Sequence, residues 1–370
     1  MAGQRTETLR IGADGSWMRW PSGGLSRYLD GLLHAMASAR DPNEELIVYY
    51  NSARGASAFD EGVQERFARM PNRTLWNQLL LPVSLRKDRC DVYLAGAFVM
   101  PLAARIPCVT VIHDCTVFRD RAAKPGREGR YWRMWTRAAA RRAAHIITVS
   151  SFVKRDCETL LGVDGARISV IHPGVAPAFA PPSDPERDRI RTTIADRYGI
   201  PSAFILHVGS DRHKGAAVAV EATRRLNSDG RSIGLVHCGP HASPGRVDAL
   251  VTNLGRVDDA ALVDLYRAAS AVCVSSTQEG FGLPVLEALA CGTPVVTTRT
   301  GGIPEAGGDA VVYSRDNGAE SFAAAMASVL DSTPEEATAR RTRGIEWAAT
   351  FTWDRAARAT LDVLRTVART

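Results

Sequence analysis

The sequence lacks the features that mark several common classes of protein. No run approaches the roughly 18 apolar residues of a membrane-spanning helix, and the first residues contain no apolar core like that of a signal peptide. The seven cysteines are scattered, without a Cys-x-x-Cys pair or a metal-ligand spacing, which favours a reducing compartment over a disulfide framework. The spaced three-glycine fingerprint of NAD enzymes is also missing. We therefore expect a cytoplasmic protein that does not depend on NAD.

What is present is typical of a globular α/β protein. The chain has 370 residues, of which 45% are hydrophobic and 23% charged, and this length suffices for two domains. Short apolar runs alternate with helix-length segments in both halves, which predicts parallel sheets covered by helices on both faces. The predicted strands are residues 9–13, 46–50, 92–94, 108–112, 146–149, 168–171, 204–208, 233–237, 271–275 and 294–298.

A cluster of prolines interrupts this alternation near the middle of the chain. Five prolines fall between residues 173 and 185, and such a segment is typical of a linker between domains. We therefore predict an N-terminal Rossmann-like domain at 1–175, a linker at 176–200, a second Rossmann-like domain at 201–352, and a last helix at 353–370 that crosses back. Two doubly wound domains would face a central cleft, with ligands at the carboxyl ends of the strands.

The strongest chemical motif places Glu279 and Glu287 on either side of a glycine-rich turn. A buried strand precedes the turn, and Leu283-Pro284 is typical of a helix start, where proline costs no hydrogen bond. This layout directs the positive end of a helix at an anion such as phosphate. Carboxylates do not bind phosphate, so we expect the hydroxyls of a sugar or ribose beside it. A helix-dipole role for Glu287 and a plain surface position for Glu279 are the alternatives.

Three weaker signals follow other predicted strands. Arg212 and Lys214 lie on the turn after the first strand of the second domain, and two cations there suit a diphosphate. His113 follows a strand of the first domain, where it is either catalytic or an ordinary loop residue. Gly23 and Gly24 open a predicted helix, where they allow close approach of a ligand or form a plain turn.

Several ordered motifs resemble retaining glycosyltransferases of family 4. The E-x7-E string at 279–287 matches, as do the strings at 23–28, 111–114, 170–175 and 301–305. The resemblance implies the two-domain GT-B fold and a nucleoside-diphosphate sugar as donor. Mannosyl is our first expectation for the transferred hexosyl group, and the acceptor is expected to be a glycan, a lipid-linked molecule or a small molecule.

The resemblance also implies a role for each matched position. Glu279 would contact hydroxyls of the donor sugar, Glu287 the ribose, and Lys214 the diphosphate, while His113 would lie beside the sugar and diphosphate. The backbone near Val257 would meet the base. Backbone amides of the turn would face the sugar and diphosphate; these belong to Gly280, Phe281, Gly282 and Leu283. The glycine pair, Gly23 and Gly24, would approach the diphosphate or the acceptor.

The sequence departs from the family at the turn that carries Arg212, His213 and Lys214, which we call the cation turn. His213 stands where the family usually has arginine, and the proline that usually precedes it is absent. Lys214 remains aligned, and Arg212 is assigned as its partner only by proximity.

The expected mechanism follows from the charges. No obvious carboxylate nucleophile is identified, which favours front-face attack, with the departing diphosphate taking the acceptor proton and Lys214 stabilising its charge. No Asp-x-Asp string occurs, so we expect neither a GT-A transferase nor a metal cofactor. A non-hydrolysing sugar-nucleotide epimerase of the same fold and a catalytically silent nucleotide-sugar-binding protein are the alternatives.

The segment from Arg119 to Arg142 concentrates positive charge. It contains nine basic and two acidic residues, a surplus of 9 − 2 = 7 that exceeds the net charge of +6 of the whole chain. Arginines paired with tryptophans are typical of interfacial helices. Contact with an anionic membrane at the inner face, or with an acidic or lipid-linked acceptor, is one interpretation. An ordinary solvated helix is the other, and no nucleic acid is expected.

Overall fold

A computed structural model of the protein describes residues 8–19, 23–59, 62–122, 124–209, 212–240 and 242–369, without the side chain of Arg212. Contacts between residues divide the chain into two compact units. Unit 1 comprises Met1–Gly174 together with Thr352–Thr370, and unit 2 comprises Val175–Phe351.

Unit 1 is built on a fully parallel seven-stranded sheet. Its order is β3-β2-β1-β4-β5-β6-β7, so the direction in which strands are added reverses between β1 and β4. The central strands are rich in Val and Ile and buried along their length, as a sheet covered on both faces requires. The strands are β1 (Leu9–Asp14), β2 (Glu44–Tyr50), β3 (Val63–Phe67), β4 (Val92–Ala95), β5 (Cys108–Ile112), β6 (His145–Thr148) and β7 (Ile168–Val170).

Helices cover both faces of this sheet. The first, α1 (Gly24–Ala39), buries Tyr28, Leu29, Leu32 and Leu33, a helical spacing that gives it one apolar face. A π-helical segment, Trp76–Leu80, joins the second and third helices into one continuous stretch. The others are α2 (Arg73–Leu75), α3 (Leu81–Lys87), α4 (Thr116–Arg119), α5 (Gly126–Arg142) and α6 (Ser151–Leu161), with a short 3-10 helix at Gly165–Arg167.

Unit 2 repeats the doubly wound plan. Its sheet has the order β10-β11-β9-β8-β12-β13-β14, and only the β10–β11 pair is antiparallel. The strands are β8 (Phe204–Val208), β9 (Gly234–Cys238), β10 (Gly245–Arg246), β11 (Val251–Gly255), β12 (Ala271–Val274), β13 (Val295–Thr297) and β14 (Val312–Tyr313). The helices are α7 (Asp184–Tyr198), α8 (Ala216–Ser228), α9 (Asp259–Ala268), α10 (Leu283–Ala290), α11 (Ile303–Gly307), α12 (Ala319–Leu330) and α13 (Pro334–Ala349), with a 3-10 helix at Arg212–Lys214.

The strand order of unit 2 locates its candidate site. Strand β8 lies between β9 and β12, and the connections leave in opposite directions from β8 and β12. Ligands of open α/β sheets bind where such a reversal occurs, beyond the carboxyl ends of the strands. The loops after β8 and β12 carry Lys214 and Glu279, respectively.

The structure differs from the predicted linker at 176–200. Helix α7 occupies most of that range and packs against α9 within unit 2. Pro185 lies in the first turn of α7, where the missing N–H costs nothing, and Ser183 and Glu186 form a capping box around the helix start. The proline cluster predicts a linker, although its last member, Pro185, begins a helix.

The last helix, α14 (Trp353–Ala368), belongs to unit 1. The Trp353 ring meets Tyr28 of α1 edge to face, with 5.5 Å between centroids. It also fills the space above Gly31, where a Cβ atom would lie 2.3 Å from the indole. Arg365 forms an ion pair with the buried Glu44 at 2.7 Å. In the ranges that the structure describes, no helix is long and apolar enough to cross a bilayer.

Candidate active site

Lys214 and Glu279 meet at the switch point of unit 2. The Lys214 Nζ atom lies 2.6 Å from the Glu279 Oε2 atom, and the two side chains are only 18% and 13% exposed. Partial burial strengthens such a pair relative to one at the surface, because less solvent screens it. The structure therefore brings the predicted diphosphate cation and the predicted sugar carboxylate into direct contact.

The turns that carry this pair are joined to each other by hydrogen bonds to backbone carbonyls. The Ser275 hydroxyl donates to the carbonyl of Gly215 at 2.9 Å, and the Thr277 amide donates to the carbonyl of His213 at 2.8 Å. Gly215 has φ +74°, and a Cβ atom there would lie 2.2 Å from the Ser275 carbonyl oxygen. Only glycine allows the cation turn to come this close to the loop that follows β12.

Two histidines on neighbouring strands donate hydrogen bonds to backbone carbonyls at Lys214 and at Gly209, which precedes the cation turn. The Nε2 atom of His207 donates to the carbonyl of Lys214, and that of His237 donates to the carbonyl of Gly209, each at 3.0 Å. The two rings pack edge to face, 5.1 Å apart. Burial lowers the pKa of His207 to about 4, so its imidazole is neutral near pH 7 and Nε2 carries the proton.

Sequence reasoning missed this pair of histidines. The sequence offered one signal, because a histidine is the fourth residue of both apolar strands, β8 and β9. In the structure His207 and His237 are register partners in this parallel pair. Pairing of that kind becomes visible only when the strand order is known.

A second glycine pair braces the turn between the two glutamates. The Gly302 amide donates to the Glu279 carbonyl at 2.9 Å. Cβ atoms at Gly301 and Gly302 would lie 2.1 Å and 2.2 Å from the carbonyl oxygens of Glu279 and Gly280, so side chains there would displace the turn. Helix α10 then begins at Leu283, after Gly282 with φ +114°. The amides of the turn and of this helix start are the ones predicted to face the donor.

Glu287 has a different environment from Glu279. It lies on α10, is only 3% exposed, and its Oε2 atom accepts a hydrogen bond from the Tyr266 hydroxyl of α9 at 2.9 Å. Val257 lies in the loop between β11 and α9 and is partly buried. Contacts of Glu287 with a ribose and of Val257 with a base stay predictions.

In unit 1, His113 follows β5 and is held by the loop after β4. Its Nε2 atom donates to the carbonyl of Gly96 at 2.9 Å, and its ring packs edge to face on Tyr28, 4.5 Å between centroids. Burial lowers the pKa of His113, so the imidazole is neutral at neutral pH. A neutral ring supplies no positive charge to a diphosphate, and its Nδ1 atom is left as a hydrogen-bond acceptor.

The first glycine pair stands at the start of α1 and is not needed for packing. Gly23 is extended and Gly24 is the first helical residue. A Cβ atom at either would meet nothing within 4 Å. At Gly96, by contrast, a Cβ atom would lie 2.4 Å from Leu29. Among the described residues, the space next to the Cα atoms of Gly23 and Gly24 is therefore open.

Arg212 was predicted to lie beside Lys214, in a site without a metal. The backbone of Arg212 lies in the 3-10 helix that ends at Lys214, and its side chain is not among the parts that the structure describes. No group of three or more His, Cys, Asp or Glu in the described parts of the chain is placed to hold a metal ion. The partnership of Arg212 with Lys214 stays a prediction.

Comparison with protein families identifies the chain. The model "Glycosyltransferase Family 4" matches residues 22–179, and the model "Glycosyl transferases group 1" matches residues 202–332, so that each covers most of one unit. The chain belongs to the family 4, group 1 glycosyltransferases. It is therefore a glycosyltransferase that uses a nucleotide-sugar donor, on the GT-B fold.

Known relatives of this glycosyltransferase differ in their substrates. The O-antigen chain mannosyltransferase B of Escherichia coli is 25% identical over 94% of this chain and 97% of its own length. A D-inositol 3-phosphate glycosyltransferase of Catenulispora acidiphila is 33% identical, over 55% of this chain and 52% of its own length, so the match spans about half of that relative. Among solved structures, Anabaena HepE in complex with UDP and glucose superposes with a TM-score of 0.72 at 17% identity, covering 97% and 99% of the two chains; this likeness concerns the fold.

Proposed function

We propose that the chain is a retaining transferase that moves a hexosyl group, mannosyl as the first candidate, to a glycan, lipid-linked or small-molecule acceptor. The observation that carries this proposal is the 2.6 Å contact between Lys214 and Glu279 at the switch point. The name of the E. coli relative, a mannosyltransferase, supports mannose. The epimerase alternative has no support among the relatives described above.

The ion pair suits a donor site because each partner can be exchanged for a part of the donor. A diphosphate offers Lys214 a stronger counter-charge than one carboxylate does. Glu279 is then free to accept hydrogen bonds from the hydroxyls of the sugar. The lysine and the start of α10 together provide positive potential for the diphosphate.

In the proposed reaction the bond between the anomeric carbon and the diphosphate oxygen breaks. The bond to the acceptor oxygen forms on the same face of the sugar, and the acceptor proton moves to the departing phosphate. Negative charge grows on the diphosphate, where Lys214 stabilises it. Glu279 positions the sugar and does not attack it.

Two further residues have supporting roles in this proposal. His113, held neutral by burial, accepts a hydrogen bond from a hydroxyl of the sugar rather than countering the diphosphate. Glu287, oriented by Tyr266, binds the ribose hydroxyls. A protein cation serves the diphosphate, so we propose that the enzyme needs no metal; unchanged turnover after treatment with EDTA is the expected result.

The donor and the stereochemistry are tested in one sequence of experiments. Thermal-shift screening against GDP-, UDP-, ADP- and dTDP-sugars selects the donor, because a ligand that binds the folded state raises the melting temperature. Transfer of labelled sugar to candidate acceptors follows, with NMR of the product. An anomeric configuration like that of the donor is expected. An inverted product would overturn the retaining assignment, and an epimerised donor without acceptor would favour the isomerase.

We also propose that unit 1 docks on anionic lipid through the basic segment. The face of α5 opposite its buried residues carries Arg130, Arg137 and Arg141, with Met134 exposed among them. Trp132 and Trp135 are half-buried along the same helix. At 100° per residue the two tryptophans lie on a different side of α5 from these arginines. Helices that lie in a membrane interface typically carry Lys and Arg on one face and aromatic or aliphatic side chains on another.

A neighbouring helix adds apolar surface. Leu75, Leu79 and Val83 recur every four residues along the stretch from α2 to α3 and are 47%, 57% and 67% exposed. With Met134 they make up four of the six exposed large apolar side chains among the described residues. The hydroxyls of Thr74 and Tyr131 lie 2.8 Å apart and join this stretch to α5. Charge complementarity selects an anionic bilayer as the partner.

Vesicle sedimentation tests the docking surface. Binding to phosphatidylglycerol vesicles, but not to phosphatidylcholine vesicles, is expected, and it should weaken as salt rises. L79S and R137Q should each reduce binding, whereas V247S, which changes an exposed apolar residue of unit 2, should not. Vesicle binding that does not depend on salt, or no binding at all, would end the proposal. An equal loss of vesicle binding in V247S would also contradict it. If the surface instead mediates self-association, ultracentrifugation without lipid would show oligomers.

A further inference from the structure

Unit 2 also contains a charged cavity at the amino ends of its strands, the end of the sheet opposite to the one where Lys214 and Glu279 lie. The cavity measures about 410 Å³ and includes Ser270 and Pro294, which precede β12 and β13. It therefore lies at the amino ends of the strands, away from the switch point. Its other walls come from α7, α12 and α13.

The cavity has a surplus of positive charge. Its charged lining residues are four arginines and one aspartate, Arg187, Arg191, Arg340, Arg341 and Asp184. The surplus is 4 − 1 = 3. Asp184 is paired with Arg341 at 2.5 Å and is largely exposed to solvent, so it offers little counter-charge to the others.

Hydrogen bonds to other parts of the protein compensate some of the positive charge in the cavity. Arg187 donates to the carbonyl of Cys291 and Arg191 to that of Ala268, both at 3.2 Å. These carbonyls end α10 and α9, whose negative dipole ends attract cations with about half a charge each. Arg340 donates to the hydroxyl of Ser332 at 2.6 Å, which carries no charge. The cavity as a whole therefore stays positive.

Arg187 is the arginine of this cavity whose charge is least well stabilised by the protein. Its buried Nε atom has no hydrogen-bond partner among the described residues. Burial, reinforced by the charges of Arg341 and Arg191, lowers the pKa of its guanidinium to about 10. A guanidinium destabilised by its own neighbours is one that an anion would stabilise.

We propose that this cavity is an anion site, distinct from the donor site, for a small phosphate-bearing molecule. Guanidinium groups match the geometry of phosphate oxygens with paired N–H donors. The volume of about 410 Å³ lies within the range of small-molecule sites. A free phosphate-bearing metabolite is the ligand class that fits.

Calorimetry with inorganic pyrophosphate tests the site in a chloride buffer of fixed ionic strength. Because the donor site also suits a diphosphate, the titrations use the K214A background. Pyrophosphate should still bind there, and R340Q and R191Q should each weaken this binding about tenfold, the scale of losing a charged hydrogen bond. R343Q is the matched control, since Arg343 is exposed on the same helix and does not line the cavity.

R340Q is the informative variant because the one contact it loses is to a hydroxyl, so its melting temperature should stay near that of the parent. No binding to the K214A protein, unchanged binding in R340Q, or an equal loss in R343Q would each overturn the proposal. Sedimentation with phosphatidylglycerol vesicles distinguishes a lipid headgroup from a free anion. R340Q should sediment like the parent; a loss there would contradict a free ligand.

Discussion

Replacing Glu279 with glutamine should separate donor positioning from diphosphate binding. Glutamine keeps the shape of the side chain but removes the charge that holds Lys214 at 2.6 Å. The free enzyme should lose about 1–2 kcal/mol of stability, between the value of an exposed pair and that of a fully buried one. The lysine would then reach a diphosphate without first leaving a carboxylate.

The consequence is a pair of opposite effects. The affinity for the nucleoside diphosphate alone should rise about fivefold, because about 1 kcal/mol spent on breaking the ion pair is no longer required. Turnover of the full donor should fall by roughly tenfold to a hundredfold, because the sugar loses its carboxylate. The opposite signs distinguish this account from simple damage to the site.

Calorimetry with the nucleoside diphosphate and a transfer assay measure the two effects. E320Q serves as control, since Glu320 is an exposed carboxylate of the same unit and its loss changes the net charge equally. Weaker binding of the nucleoside diphosphate to E279Q would refute the reasoning, as would a rise in affinity of the same size in E320Q.

Three further predictions concern other parts of the protein, the first with a control substitution. G24A should leave the melting temperature unchanged while raising KM for donor or acceptor, whereas G31A, which overlaps Trp353, should lower the melting temperature; destabilisation by G24A would contradict this. G215A should cost at least about 2 kcal/mol and most of the activity, because its φ is +74° and the added atom meets a carbonyl; an active, equally stable G215A protein would show that the two turns need not touch. His207, whose pKa is lowered to about 4, stays neutral in the folded state while the unfolded state protonates near 6.5, so stability is lost as pH falls from 6.5 to 4. In H207Q, the fall in the free energy of unfolding between pH 6.5 and 4 should be smaller by roughly 3 kcal/mol. If denaturation curves show the same pH dependence of stability in H207Q as in the parent, His207 is not the group responsible.

Elements whose residues are buried on both faces were predictable from the sequence. Strands β5 and β8 have the predicted bounds, because a run of buried Val, Ile and Leu between turn residues has few alternatives. The start of α10 at Leu283 was also predictable, because Gly282 and Pro284 fix it chemically.

Elements with mixed exposure were not recognised. Strand β3, with the sequence Val-Gln-Glu-Arg-Phe, is a partly exposed edge strand and has no apolar run. Helix α12 is so rich in alanine that its apolar face is poorly defined, although it buries Phe322 and Met326. Helix α13 buries little beyond Gly344 and Ala348.

The candidate site was predictable as a set of residues but not as a set of contacts. Lys214 and Glu279 were both expected at carboxyl ends of strands, yet their ion pair depends on β8 lying next to β12. Those strands are far apart in the chain, and their adjacency is a long-range property. The support from His207 and His237 depends on the β8–β9 register for the same reason.

The central claim is that Lys214 stabilises the departing diphosphate of a sugar donor. Single-turnover transfer by K214A, with the donor selected by thermal shift, tests it most directly, with K214R to show how far a second cation restores the rate. We expect K214A to retain its fold and to lose about a hundredfold or more in turnover. Turnover near that of the parent enzyme would contradict the account.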